Sequence, residues 1–179
     1  FNRALQVDNN FQAFAPSFAI QYKLLKNKQL RLKANTAINY NYPTLNDLYW
    51  NPGGNSLLKP EKAKMTELGT NYQFFMKNVE WTLEATGFYS RVDDWIIWLP
   101  DATGIWTPNN LREVENKGLE IALKGKTNIN KTQFTINGHY ANTFSTNLKA
   151  QNELDNSVNK QLIYVPYHQL NYSIGALFK

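Results

Sequence analysis

The residues best suited to chemistry are few: the chain has two histidines, His139 and His168, and no cysteine. In an extended chain, side chains alternate between two faces. By that alternation His139 falls on the polar face of its segment and His168 on the apolar face of its own, so a two-histidine metal site is not expected. Asp93 and Asp94 are neighbours, point to opposite faces of an extended strand and cannot act as a carboxylate pair. There is no Gly-x-Ser-x-Gly elbow, no phosphate-cradling loop, no dinucleotide fingerprint and no His-Glu-x-x-His. The expectation is a protein that is not an enzyme, with no catalytic residues, no metal and no cofactor.

Binding chemistry is better represented. Tyr49, Trp50, Asn51 and Asn55 stand in one long connector with Gly53 and Gly54, and Trp98, Trp106, Asn109 and Asn110 in the next. Aromatic rings beside amides can stack on and hydrogen-bond a sugar, a siderophore or a peptide, and these eight are the candidate ligand contacts. The plainer reading is loop packing and turn chemistry. A second set, Lys23, Arg31, Lys33, Glu67, Glu84, Glu120, Lys124 and His139, shares the polar parity. These side chains would be costly against lipid and natural in a water-filled or protein-filled lumen.

The elements that must position these groups are strands. Alternation with period two recurs in seven segments, clearest from Leu30 to Tyr40, where Leu32, Ala34, Thr36, Ile38 and Tyr40 oppose Arg31, Lys33, Asn35 and Asn39. The pattern predicts an all-β, antiparallel up-and-down meander of about seven strands. Connectors alternate short and long: Leu25–Gln29, Tyr42–Lys62, Phe75–Val79, Leu99–Leu111, Gly125–Lys131, Ser145–Gln161. Short turns then share one rim and long loops the other, as in outer-membrane barrels. Lys26, Lys28, Lys77, Lys124, Lys126 and Lys131 are placed in the short turns, and Asp93 and Asp94 where a strand leaves the bilayer.

Aromatics on the apolar faces gather toward strand ends. Tyr22, Tyr72, Phe74, Trp81, Phe134 and Phe178 lie toward the short-turn rim, and Tyr40, Tyr89, Tyr140 and Tyr164 toward the other. Between them sit Ile20, Ala34, Leu68, Ala85, Ile136 and Ile174. Two aromatic girdles around an aliphatic band are the arrangement of a transmembrane barrel. A soluble sandwich would use the same faces as core and surface, but has no reason to sort rings by height.

Composition fits this reading. Across 179 residues, 42% hydrophobic and 18% charged, no apolar run is long enough for a spanning helix, and a barrel strand needs none. The net charge of +5 is scattered and does not form a nucleic-acid stripe. Phe1-Asn2-Arg3-Ala4 does not open a signal peptide, so either export is not intended or the true N-terminus lies upstream.

Four blocks in order carry a family resemblance. Pro43-Thr44-Leu45-Asn46-Asp47-Leu48-Tyr49, followed by Leu58-Lys59-Pro60-Glu61 and Glu67-Leu68-Gly69, resembles the mid-barrel stretch of TonB-dependent receptors. Thr86-Gly87-Phe88-Tyr89 with Asp93-Asp94-Trp95-Ile96-Ile97, then Asn116-Lys117-Gly118-Leu119-Glu120-Ile121, then Val165-Pro166-Tyr167-His168-Gln169-Leu170, resemble later strands of that family. Tyr167 departs from the arginine often found there.

The resemblance implies a bacterial outer-membrane receptor for TonB-dependent uptake of a nutrient, whether siderophore, cobalamin, saccharide or peptide. Its partners would be outer-membrane lipid, the TonB complex through a plug domain, and the small nutrient; nucleic acid would not be one. Residues 1–179 are expected to be a partial barrel domain, without the plug and the final strands. Lumen charges would face the plug. Rival readings are a soluble all-β ligand-binding module, with carbohydrate as one ligand class, and a barrel enzyme, for which no clustered catalytic set can be assembled.

Overall fold

The computed structural model describes residues 12–24, 29–150, 155–163 and 165–178, with Leu111 and Arg112 described by their backbone alone. Tyr164, Lys26 and Lys28, placed above in a girdle and a turn, lie outside the described residues. Seven strands form one sheet in chain order, each antiparallel to the next: β1 (Ser17–Lys23), β2 (Leu30–Asn41), β3 (Glu61–Met76), β4 (Val79–Pro100), β5 (Trp106–Ile129), β6 (Thr132–Asn147) and β7 (His168–Phe178). The all-β meander is therefore as the alternation requires. Sheet edges are β1 and β7, and the sheet is open.

Register fixes the faces, since paired residues share one. A row of partners runs Ile20, Ala34, Leu68, Gly87, Leu119, Asn142, His168, and its neighbour runs Tyr22, Leu32, Thr70, Ala85, Ile121, Tyr140, Leu170. On this face Ile20, Leu68, Leu170, Tyr172 and Ile174 are each more than half exposed. So broad an apolar surface is tolerated in water only if something covers it. Among the described residues no second sheet does, which removes the layer a soluble sandwich needs.

The opposite face carries the charges. One row holds Lys23, Arg31, Asn71, Glu84, Ala122, His139 and Asn171; the next holds Gln21, Lys33, Gly69, Thr86, Glu120, Ala141 and Gln169. Glu67 pairs with Asn35 and Phe88, and Lys124 with Thr82 and Asn137, on that same face. His139 and His168 do stand on opposite faces.

Connectors differ from expectation where period-two alternation is interrupted. The turn expected over Phe75–Val79 is only Lys77 and Asn78, whose φ values of 49° and 63° make the tight mirror-type turn that matches strand twist. Strand β5 continues through Ile129, so Lys124 and Lys126 are strand residues paired with Thr82 and Glu80, not turn residues. Most consequential is the pair β4–β5. The connector expected over Leu99–Leu111 is a hairpin extension whose loop is Asp101–Ile105. Two register shifts, between Val92 and Trp95 and between Trp95 and Ile96, with Asp94 at φ 57°, interrupt the alternation before the ladder resumes its former register, and so hide the strand's continuation. Asp93 and Asp94 therefore stand at a bulge within β4, which runs on to Pro100.

Candidate ligand site at the loop-bearing rim

The connector after β2 opens with a helix that the period-two reading missed, α1 (Leu45–Tyr49). Its signal is local: Thr44 caps it by accepting from the Asp47 N–H, while the Asp47 carboxylate accepts from the Thr44 N–H at 2.8 Å and hydroxyl at 2.7 Å. Leu48 and Leu58 are buried beneath this connector.

Four ties lock the connector and the first residue of β3 to the β4–β5 hairpin. The Trp98 indole N–H donates to Asp47 Oδ1 at 2.9 Å. Asn55 Nδ2 donates to the Pro108 carbonyl at 3.1 Å. Asn110 accepts from the Lys59 N–H at 2.7 Å and donates to the carbonyls of Lys59 and Asp94 at 2.9 and 2.7 Å. Glu61 Oε1 accepts from the Ile96 N–H at 2.8 Å. Gly53, at φ 119°, lies so close to the Trp106 carbonyl that any β-carbon would collide with it.

Burial would raise the Asp47 carboxyl, but its hydrogen bonds from Thr44 and Trp98 outweigh that and hold it below the usual carboxylate range. At the hairpin tip, the Thr103 hydroxyl and N–H, with the Ile105 and Gly104 N–H groups, likewise keep Asp101 ionised below that range.

From the other side, the segment after β6 folds back over the polar face. Val114, Asn116, Ser145 and Asn147 share the face of Glu120, and Val114, Ser145 and Asn147 are almost fully buried. What buries them is held by hydrogen bonds: Asn147 Nδ2 to Ser157 Oγ at 2.8 Å, Ser145 N–H to Gln161 Oε1 at 2.8 Å, and Leu162 N–H to the Ser145 carbonyl at 2.7 Å. Gln161 also donates to the Thr143 and Val165 carbonyls. Between this segment and the hairpin lies a cavity of about 640 Å³. Trp95, Trp98 and Trp106 supply indole walls, Ile97, Leu99 and Leu162 aliphatic ones, and Ser157, Lys160 and Gln161 a polar side. Such a surface can stack on a broad apolar ligand and hydrogen-bond its edge.

The eight ligand candidates divide. Trp98 and Trp106 line the cavity. Tyr49, Trp50 and Asn51 are exposed on the connector, away from the cavity lining. Asn55, Asn109 and Asn110 have their amide donors occupied by backbone or threonine neighbours, Asn109 by Thr107. Alternation alone missed Trp95, Ser157, Lys160 and Gln161, because the bulge and a long-range fold-back bring them there. On the polar face, His139 Nε2 is 3.9 Å from Glu120 Oε2; on the apolar face, His168 Nδ1 is 2.8 Å from the Tyr140 hydroxyl.

Comparison with known proteins agrees with this architecture. A vitamin B12 transporter BtuB of Photobacterium profundum is 35% identical over 97 residues, 52% of this chain and 15% of that protein. A vitamin B12 transporter BtuB of Vibrio vulnificus is 34% identical over 98 residues, 54% of this chain and 15% of its own length. The alignments thus span a small part of these relatives. The family model for the TonB dependent receptor-like beta-barrel matches residues 2–178, so the chain belongs to the TonB-dependent receptor β-barrel family, and its place is the outer membrane of Gram-negative bacteria.

Proposed function

We propose that this chain supplies the ligand-capturing rim of an outer-membrane receptor for TonB-dependent nutrient uptake, and that the nutrient is of the cobalamin class. The observation that carries the reading is the indole-walled cavity held on the charged face by the β4–β5 hairpin and the Ser157–Val165 segment. A corrin-type ligand offers a broad apolar ring with amide groups around its edge. The indoles suit the ring, and Ser157, Lys160 and Gln161 suit the edge. The names of the two relatives support the same class. In this reading the charged face meets a plug through Lys23, Arg31, Lys33, Glu67, Glu84, Glu120, Lys124 and His139, and TonB acts through that plug. The substrate is moved and not transformed.

The test is binding of cyanocobalamin to the full-length receptor in outer-membrane vesicles, with ferric siderophores and oligosaccharides as competitors. Saturable binding that Trp106→Ala weakens about tenfold, and that neither competitor displaces, supports the assignment. Displacement by a siderophore or an oligosaccharide moves the receptor to that ligand class.

A further inference from the structure

The polar side of the indole-walled cavity carries a single charge. Ser157, Lys160 and Gln161 form that side, and none of the lining residues is acidic. The two neutral side chains are largely spent on the wall itself. Gln161 gives its amide hydrogens to the Thr143 and Val165 carbonyls and accepts from the Ser145 N–H, which leaves one lone pair of Oε1. Ser157 Oγ accepts from Asn147 Nδ2, which leaves its own hydrogen to donate. Lys160 is exposed and makes no ion pair among the described residues, so its ammonium brings three donors and a full charge to the cavity.

The backbone beneath Lys160 is fixed, although the residue sits on a long connector. Its N–H closes a turn onto the Ser157 carbonyl at 3.1 Å, with Asn159 at φ 60° as the third residue. Asparagine is one of the few residues that adopt this conformation readily. Asn147, fully buried at the end of β6, grips the turn from below. Its carbonyl accepts from the Asn159 N–H at 2.7 Å, its N–H donates to the Lys160 carbonyl at 3.3 Å, and its Nδ2 holds Ser157. A charge carried on a braced backbone loses less freedom on meeting a ligand than one on a loose loop.

Charge then decides what the cavity takes. Indole faces attract cations, so Trp95, Trp98 and Trp106 alone would favour a cationic ligand. Lys160 repels such a ligand and draws an anion to the polar side, and no carboxylate in the lining neutralises it.

We propose that Lys160 is the specificity-determining residue of the cavity, pairing with an anionic group at the ligand's edge, which in a cobalamin is the phosphodiester of the nucleotide arm. This rests on the cobalamin-class reading and adds to it which parts of the molecule are read: the ring by the indoles and the phosphate by Lys160.

The test measures binding of three corrinoids to the full-length receptor in outer-membrane vesicles. They are cyanocobalamin, cobinamide phosphate, which keeps a phosphate but lacks the base, and dicyanocobinamide, which lacks both. The unaltered receptor should bind the two phosphate-bearing corrinoids about tenfold more tightly than dicyanocobinamide. Lys160→Gln should erase that gap, weakening those two about tenfold and leaving dicyanocobinamide unchanged. Lys160→Arg should keep it. Equal affinity of the unaltered receptor for cobinamide phosphate and dicyanocobinamide overturns the assignment while the corrinoid reading stands. So does an equal loss for all three corrinoids in Lys160→Gln, which is what a merely structural role would give. If none of the three binds, the corrinoid reading itself falls, and the pairing falls with it.

Discussion

The indole N–H of Trp98 meets the carboxylate of Asp47 at 2.9 Å, joining α1 to the β4–β5 hairpin across 51 positions of sequence. The same carboxylate closes the helix cap with Thr44, so one side chain serves both the local turn and the long-range contact. Asp47→Ala should cost more than either function alone. A lost cap is worth about 0.5–2 kcal/mol, and a hydrogen bond to a charged group about 1.5–3 kcal/mol. Trp98→Phe keeps the ring and removes only the second contribution. Limited proteolysis of the full-length receptor should show cleavage within 42–60 rising strongly for Asp47→Ala and less for Trp98→Phe. Equal protection in both variants would mean the connector is held by its apolar contacts.

Both rim carboxylates have their ionised forms favoured, and this sets a pH dependence. Asp47 and Asp101 titrate below the usual range, the first through Thr44 and Trp98 despite burial, the second through Thr103 and its neighbours. A depressed carboxyl stabilises the fold fully above its unfolded pKa, about 3.9, and that stabilisation is lost as pH falls through the lower folded value. The rim should therefore be indifferent to pH from about 7 down to about 4.5 and open only below about 4. Hydrogen exchange of residues 44–50 and 101–105 across that range checks it. Opening with a midpoint near about 6 would point to histidine instead.

The assignment of faces makes an asymmetric prediction for neighbouring residues. Leu68 is 65% exposed on the apolar face, in the row of Ala34 and Gly87, and Glu67 lies on the charged face opposite Asn35. Leu68→Arg should destabilise the barrel by about 2–4 kcal/mol if it stands near mid-membrane. Glu67→Gln should stay within about 0.5 kcal/mol. Reversible unfolding of the receptor in lipid vesicles, followed by tryptophan fluorescence, measures both. Costs of similar size would remove the lipid from this face.

How much of this was legible in the sequence depends on the range of the interactions. The alternation of Leu32, Ala34, Thr36, Ile38 and Tyr40 is a property of each residue and its neighbours, and β2 was readable for that reason. The cap of α1 was equally local, Thr44-x-x-Asp47, but is drowned by the strand pattern around it. Between Val92 and Ile96 two register shifts break the alternation, so Trp98, Trp106, Asn109 and Asn110 read as loop while the chain in fact continues as two paired strands. Of the cavity only the walls Trp98 and Trp106 stood among the residues named from sequence; its enclosure was not readable. It exists because Asn147 holds Ser157 and Ser145 holds Gln161 and Leu162, contacts that no periodicity announces.

Asn110 separates a ligand contact from a structural one. Its amide nitrogen is committed to two carbonyls, those of Lys59 and Asp94, and its oxygen to the Lys59 N–H. Both donor positions are thus used before any ligand arrives. Asn110→Asp keeps the shape but aims a carboxylate at two carbonyl oxygens, losing both donated bonds and adding repulsion, a cost on the order of 2–4 kcal/mol to the rim. Ligand affinity should fall together with protease resistance of the connector, because the hairpin that carries Trp98 and Trp106 loses its brace. Trp106→Ala, by contrast, should lower affinity while leaving the connector protected, since its side chain lines the cavity. Measuring affinity and proteolysis side by side resolves the two roles. If Asn110→Asp weakened binding with the connector fully protected, Asn110 would belong among the ligand's own contacts.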